Sequence, residues 1–257
     1  MEHDSGAHWA EPFPNHHAQT EDERLLESVE ELETIGRDAW RIFRIMGEFV
    51  EGFEEMTKVG PAVSIFGSAR VEEDHPQYLQ CVETARLIGE SGFAIITGGG
   101  PGIMEAANRG AREAGARSVG CNIELPFEQV TNRYVDLAID FRYFFVRKTM
   151  FVKYAQAFVI FPGGFGTMDE LFESLTLIQT GKVRHFPVVL MGTDYWGGLV
   201  EWMRARMAPE GKIAEKDLDL FFLTDDPREA RDHVVRRFRR RREALQGRLP
   251  TESGPEL

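Results

Sequence analysis

From residue 62 onward, short apolar runs alternate with longer segments of helical periodicity. Ala62–Phe66, Phe93–Thr97, Ser118–Ile123, Leu137–Phe141, Ala157–Phe161, Val188–Met191 and Phe221–Leu223 read as strands, because they are brief, rich in β-branched or aromatic residues and bounded by turn residues. Residues 76–91, 103–114, 142–156, 168–180, 196–207 and 227–245 place apolar residues three or four apart and read as helices. Strands alternating with helices imply a parallel sheet covered on both faces. The expected fold class is therefore α/β, a doubly wound, Rossmann-like sheet. Ahead of it, residues 21–56 are predicted to form a long amphipathic helix or a broken pair. Their stripe is Leu25, Val29, Leu32, Ile35, Ala39, Phe43, Met46, Val50 and Phe53, with Gly36 and Gly47 as weak points. This stripe must be buried on the main domain or on another subunit. The expected organisation is a disordered tail over 1–20, an acidic helical extension over 21–58, a Rossmann-like domain over 59–246 and a flexible tail over 247–257.

Charge sharpens the picture of the two ends. The net charge is −12, which argues against general nucleic-acid binding. Residues 1–58 hold 15 acids against 5 Lys/Arg, and residues 228–248 hold nine arginines against three acids. A match between the acidic helix and the basic run Arg236–Arg242, within one chain or between subunits, accounts for both segments. Two cysteines, Cys81 and Cys121, make no disulfide framework and fit a reducing, cytoplasmic setting. His3, His8, His16 and His17 lack supporting carboxylate or cysteine spacing, so no metal site is expected. No apolar run approaches the roughly 18 residues of a membrane span, and neither a signal peptide nor a membrane partner is expected.

The candidate chemistry lies in the loops after the strands, where such sheets bind ligands. Gly67-Ser68-Ala69-Arg70, Gly98-Gly99-Gly100-Pro101-Gly102 and Pro162-Gly163-Gly164-Phe165-Gly166-Thr167 are glycine turns at equivalent positions. The last lies between a strand and a helix, which sets backbone N–H groups and a positive helix end at the sheet edge, a site suited to phosphate. Its glycines are expected to take positive φ or to admit a ligand closely. Neither a dinucleotide fingerprint nor a P-loop is present, so a mononucleotide or sugar phosphate is favoured over NAD or ATP. Thr167 is either a phosphate donor or the helix N-cap. Glu170 is either catalytic or a first-turn acid that profits from the helix dipole, and Glu105 has the same two readings. Arg147 and Lys148 either meet phosphate or form a solvated helix face.

The segment Pro162-Gly163-Gly164-Phe165-Gly166-Thr167-Met168-Asp169-Glu170 resembles the P-G-G-x-G-T-x-x-E signature of the LOG ("Lonely guy") family. Those proteins are cytokinin riboside 5′-monophosphate phosphoribohydrolases, many once labelled lysine decarboxylases. Arg147-Lys148 matches the family's upstream Arg-Lys pair, and Gly98–Glu105 and Gly67-Ser68 are also similar. The resemblance covers about residues 61–245. It implies hydrolysis of the N-glycosidic bond of a nucleoside 5′-monophosphate to free base and ribose 5-phosphate, without a cofactor. It implies Arg147 and Glu170 as catalytic residues; the helix N-terminus favours an ionised Glu170, which would stabilise the sugar cation or activate water. Substrate would be held by Gly67, Ser68, Gly98, Gly99, Gly100, Glu105, Lys148, Gly163, Gly164, Gly166 and Thr167. A homodimer or larger assembly is implied as well. The competing reading is a non-catalytic nucleotide carrier or sensor on the same scaffold. Decarboxylation would need a pyridoxal phosphate lysine, and no lysine stands in a setting that suits one.

Overall fold

The computed structural model describes residues 20–26, 34–125, 130–184 and 186–246, the side chains of 34–39 and of Leu245 excepted. The tails expected to be disordered or flexible lie outside these residues except at Thr20, as do the four N-terminal histidines and Val29 and Leu32 of the stripe. Two helices come first, α1 (Glu21–Leu26) and α2 (Thr34–Thr57). The domain then runs β1 (Ala62–Phe66), α3 (Pro76–Glu90), β2 (Ala94–Thr97), α4 (Ile103–Glu113), β3 (Ser118–Ile123), β4 (Leu137–Phe141), α5 (Phe144–Tyr154) and β5 (Ala155–Ile160). It continues with α6 (Phe165–Gln179), β6 (Val188–Met191), α7 (Thr193–Trp202), a π-helical turn at Met203–Met207, a 3₁₀ turn at Glu215–Leu220, β7 (Phe221–Thr224) and α8 (Pro227–Leu245). Every expected strand is present. Among the described residues no helix is long and apolar enough to cross a membrane.

All seven strands are parallel, in the order β4-β3-β2-β1-β5-β6-β7. β1, β2 and β6 are buried at every position, whereas the edge strands β4 and β7 are partly exposed. That is the burial expected of parallel strands covered by helices on both sides. The chain winds outward from β1 to β4, returns to pair β5 with β1, and winds outward again. The β1–β5 boundary is thus the topological switch point, where such sheets open a crevice at their carboxyl edge. One core, on the face of α2, α5, α6 and α7, includes Met56, Met150, Leu171 and Trp196. The other, on the face of α3, α4 and α8, includes Tyr78, Ile103, Ala107 and Val234. The helices after β1 and β5 therefore leave the sheet on opposite faces.

Two expectations about the ends are narrowed here. The acidic α2 and the arginine-rich α8 cover opposite faces of the sheet, so they do not match within one chain. The stripe Phe43, Met46 and Val50 is not buried on the domain, these residues being 63%, 55% and 65% exposed, and Phe53 is only half covered, by Tyr154 and Lys153 of α5. α2 seats Ile45, Phe49 and Met56 on the core instead. Gly52 allows the close approach, since a Cβ there would meet Met150 and Phe141.

Candidate active site

Hydrogen bonds continue the β1–β5 ladder past the strand ends. Phe161 N–H donates to the Phe66 carbonyl at 2.8 Å, and Ser68 N–H donates to the Pro162 carbonyl at 2.9 Å. The Ser68 carbonyl accepts Ile103 N–H at 3.0 Å, which joins the loops after β1, β2 and β5. The Ser68 hydroxyl accepts Arg70 N–H at 3.1 Å. Gly67 is packed against Ile103, and Gly163 against Thr167 and Gly67, where a Cβ would overlap. Tyr195 in α7 donates its hydroxyl to the Gly163 carbonyl at 2.7 Å.

α6 begins at Phe165, not Met168, so Gly166 and Thr167 lie inside the helix and Gly164 is its N-cap. Glycine near a helix start costs little, so the turn is shorter than its composition suggested. Three consequences correct the sequence expectations. Thr167 is not the N-cap but a buried residue of the first turn. None of Gly163, Gly164 and Gly166 has positive φ; close approach is what demands Gly163, and Gly99 and Gly102 take φ of 74° and 67° instead. Glu170 lies in the second turn, beyond the reach of the helix end. Among the described residues no side chain is hydrogen-bonded to the first N–H groups of α6, which leaves them available to an anion.

Glu170 is 8% exposed, and its Oε2 is buried without a hydrogen-bond partner. Burial raises its pKa, which Glu173 and Asp169 push further and Lys148 and Arg147 partly offset, to about 7. The helix end therefore does not hold this carboxylate fully ionised at neutral pH, because desolvation acts where the dipole does not. Arg147, from the first turn of α5, donates Nε–H to the Cys121 carbonyl at 2.8 Å and lies 5.2 Å from the Phe151 ring centroid. Burial lowers its pKa, against the fields of Cys121 and Glu170. Gly98 makes room for it: a Cβ at Gly98 would meet the Arg147 guanidinium and the Met104 sulfur. Lys148 reaches the flanks of Glu170 rather than open solvent, at 2.8 Å from Asp169 and 3.0 Å from Glu173. Burial opposes its charge, but those two carboxylates and Glu170 outweigh it, so its pKa is raised.

The structure therefore brings Arg147, Lys148 and Glu170 together, with Gly98 against Arg147. Glu105 stands elsewhere. It belongs with Glu73, Arg109 and Arg133, and burial followed by Glu73 raises its pKa.

A polar network behind the glycine loop escaped sequence reasoning. Asn132 donates Nδ2–H to the carbonyls of Gly99 and Gly100 at 3.1 and 3.0 Å and to Asn108 Oδ1 at 2.9 Å. Buried Thr97 donates to Asn108 at 2.7 Å and accepts Gly99 N–H at 2.9 Å. The available signal was Asn108, a polar residue on the apolar face of α4. Beyond the ends of β3 and β4, a groove of about 630 Å³ is lined by Glu48, Glu51, Glu55, Asn122, Asp140 and Arg142, among others. Its carboxylates make it a poor seat for phosphate.

α5 differs from α6 at its N-terminus. Glu48 of α2 accepts Arg142 N–H at 3.1 Å and Tyr143 N–H at 3.4 Å, and Asp22 accepts Phe144 N–H at 3.1 Å. The extension thus fills the anion-binding end of the helix that carries Arg147.

Comparison with known proteins agrees with the motif. A family profile described as "Possible lysine decarboxylase" matches residues 104–234. A Mycobacterium tuberculosis protein named cytokinin riboside 5′-monophosphate phosphoribohydrolase is 27% identical over 164 residues, covering 60% of this chain and 86% of that protein. Cytokinin riboside 5′-monophosphate phosphoribohydrolase LOG of rice, Oryza sativa subsp. japonica, is 30% identical over 137 residues, or 52% of this chain and 56% of that one. Among solved structures, the molybdenum cofactor carrier protein of Chlamydomonas reinhardtii superposes with a TM-score of 0.52 at 24% identity, over 70% of this chain and 99% of that one. That likeness is one of fold. With the profile spanning half of the sequence and the signature seated at the switch point, the chain belongs to the "Possible lysine decarboxylase" family, the family of the LOG proteins.

Proposed function

We propose that this protein hydrolyses the N-glycosidic bond of a nucleoside 5′-monophosphate, a cytokinin riboside monophosphate or AMP, to free base and ribose 5-phosphate. The observation that carries this reading is a buried carboxylate with an unpartnered oxygen, Glu170, coupled to Arg147 beside an uncapped helix N-terminus. The substrate phosphate takes the open N–H groups of α6, with Gly163, Gly164, Gly166 and Thr167 around it. Ser68, Gly67 and Gly98–Gly100 form the facing wall. Arg147 holds the ribose or the phosphate. Phosphate binding spends its energy away from the bond that breaks, and so positions the sugar.

As the C1′–N bond breaks, positive charge grows at C1′. The ionised form of Glu170 stabilises that charge or takes a proton from water. The water oxygen bonds to C1′, and the proton passes to the departing base. A pKa near 7 suits a group that accepts and returns a proton at neutral pH. Lys148 acts through the field it places on Glu170, and Glu105 takes no part in bond cleavage. Lys148 is also unsuited to a Schiff base, which needs a neutral amine, because Asp169 and Glu173 favour its charged form.

The test is release of ribose 5-phosphate from AMP, isopentenyladenosine monophosphate, GMP, CMP and UMP. We expect release from an adenine nucleotide. A preference for the prenylated nucleotide makes the protein cytokinin-activating, and a preference for AMP makes it a salvage hydrolase. Nucleotide binding without release, by protein of verified fold, would replace this reading with a carrier or sensor.

A further inference from the structure

α2 has a second apolar face, turned away from the domain. Trp40, Phe43, Gly47 and Val50 recur at alternating spacings of three and four, the repeat that keeps one seam of a helix against a neighbouring helix. Trp40, Phe43 and Val50 are 72%, 63% and 65% exposed, with Met46 alongside them and Phe53, half covered by Tyr154 and Lys153 of α5, at the edge. Among the described residues, and apart from the helix's own backbone, no atom lies within 4 Å of the place a Cβ on Gly47 would occupy, so the middle of the seam is an open seat for a side chain from outside. The charges of α2 are sorted about that glycine. Three arginines, Arg37, Arg41 and Arg44, and one acid, Asp38, precede it; four acids, Glu48, Glu51, Glu54 and Glu55, and no base follow it. Glu48 is turned inward onto α5, while Glu51 and Glu54 are exposed.

We infer that this face is the docking surface for α2 of a second copy of the chain, the two helices running antiparallel and crossing near Gly47. An antiparallel pair lays the basic half of each helix on the acidic half of the other, whereas a parallel pair would set like charges together. The arrangement is self-complementary, as a two-fold interface requires. On the three-four repeat it puts Arg44 opposite Glu51 of the partner subunit, Met46 opposite Phe53 of the partner subunit, and Gly47 under Val50 of the partner subunit. Arg44 already pairs with Glu21 of its own chain at 3.2 Å, and its half-exposed side chain can serve both carboxylates. α2 lies outside the matched family region, so this contact is separate from anything the family profile covers. It does not depend on the proposed reaction.

The test uses the full chain. Light scattering at micromolar concentration is expected to give at least twice the 29.2 kDa chain mass, and Phe43→Glu/Val50→Glu to halve the mass of the wild-type assembly without loss of circular dichroism. Gly47→Cys is expected to form a disulfide-linked dimer on mild oxidation; Cys81 and Cys121 are buried and contribute no background. Arg44→Glu and Glu51→Arg should each weaken association about tenfold or more, and an equimolar mixture of the two should recover it. A monomeric wild type overturns the inference. So does an unchanged mass in the double variant, or a Gly47→Cys protein that does not cross-link; these are the results expected if residues 1–19 or α8 of another copy cover the face instead.

Discussion

Glu170 illustrates how far a residue's chemistry can depart from its place in the sequence. Counted from the glycines it belongs to a helix start. In the fold it lies one turn deeper, where loss of water outweighs the helix dipole and raises its pKa to about 7. Two outcomes follow. Glu170→Gln should retain nucleotide binding and slow turnover by about 10²-fold, the scale of one lost electrostatic stabiliser; turnover assays with a binding titration check both halves. The same substitution should stabilise the protein above neutral pH. The folded state holds a proton on Glu170 that the unfolded state has released, so stability is full below pH 4.5 and falls as pH rises to about 7. The variant lacks that loss, on the order of 1–3 kcal/mol, and denaturation at pH 5 and pH 8 should show the difference. Gly98 is the second residue to test. Gly98→Ala places a methyl where the Arg147 guanidinium and Met104 sulfur lie, and should lower kcat/KM by about 10²-fold with little change in fold.

Among the elements, the two helix N-termini at the sheet's carboxyl edge have opposite fates. α6 is left open, and α5 is closed by Glu48 and Asp22 from the extension. The acidic segment thereby acquires a local purpose, fixing the start of the helix that carries Arg147. Glu48→Ala strips the acceptor from two backbone N–H groups and should cost about 1–3 kcal/mol, read as a lower denaturation midpoint. Activity should fall further than Lys58→Ala, a control on the surface at the end of the same extension. The glycine loop after β2 has an analogous brace in Asn132, Asn108 and Thr97. The loop was legible in the sequence because glycine clusters punctuate a chain locally. Its brace was not, because Asn132 meets Gly99 and Gly100 only after β3 pairs with β2.

For the whole molecule, the pH dependence of stability is the sum of groups on both faces. His233 on α8 stacks on Phe222 at 4.6 Å, and burial, with Arg237 and Arg236 beside it, lowers its pKa to about 4. The unfolded chain binds a proton near pH 6.5 that the folded chain refuses, so His233 favours the folded state above 6.5 and that benefit is lost as pH falls to about 4. Over pH 4.5–6.5 this slope opposes that of Glu170. Wild-type stability should therefore be flatter there than that of Glu170→Gln, which exposes the His233 slope. A steeper wild-type profile would contradict the opposition of the two groups. The separation of α2 and α8 onto opposite faces also belongs to this scale, since charge count alone left open whether they match within one chain or between subunits.

The strand sequence, the glycine turns and the family signature were determined by the amino-acid sequence itself. Buried parallel strands are short apolar runs with turn residues at their ends, and both features are local. β1, β3, β4 and β6 fall where the pattern put them, and α8 begins at Pro227. Helix starts were less legible: α6 takes in Gly166 and Thr167 because a first turn tolerates residues that also make loops. What only the tertiary structure decided is everything that depends on strand order. Pairing β5 with β1 creates the switch point, sets Gly163 against Gly67, and brings Arg147, Lys148 and Glu170 together across the core. It also decides which stripe of α2 is buried, because two apolar faces on one helix compete and packing against Met150 and Phe141 selects between them. Burial then fixes the protonation of Glu170, a property of its surroundings that no local pattern carries.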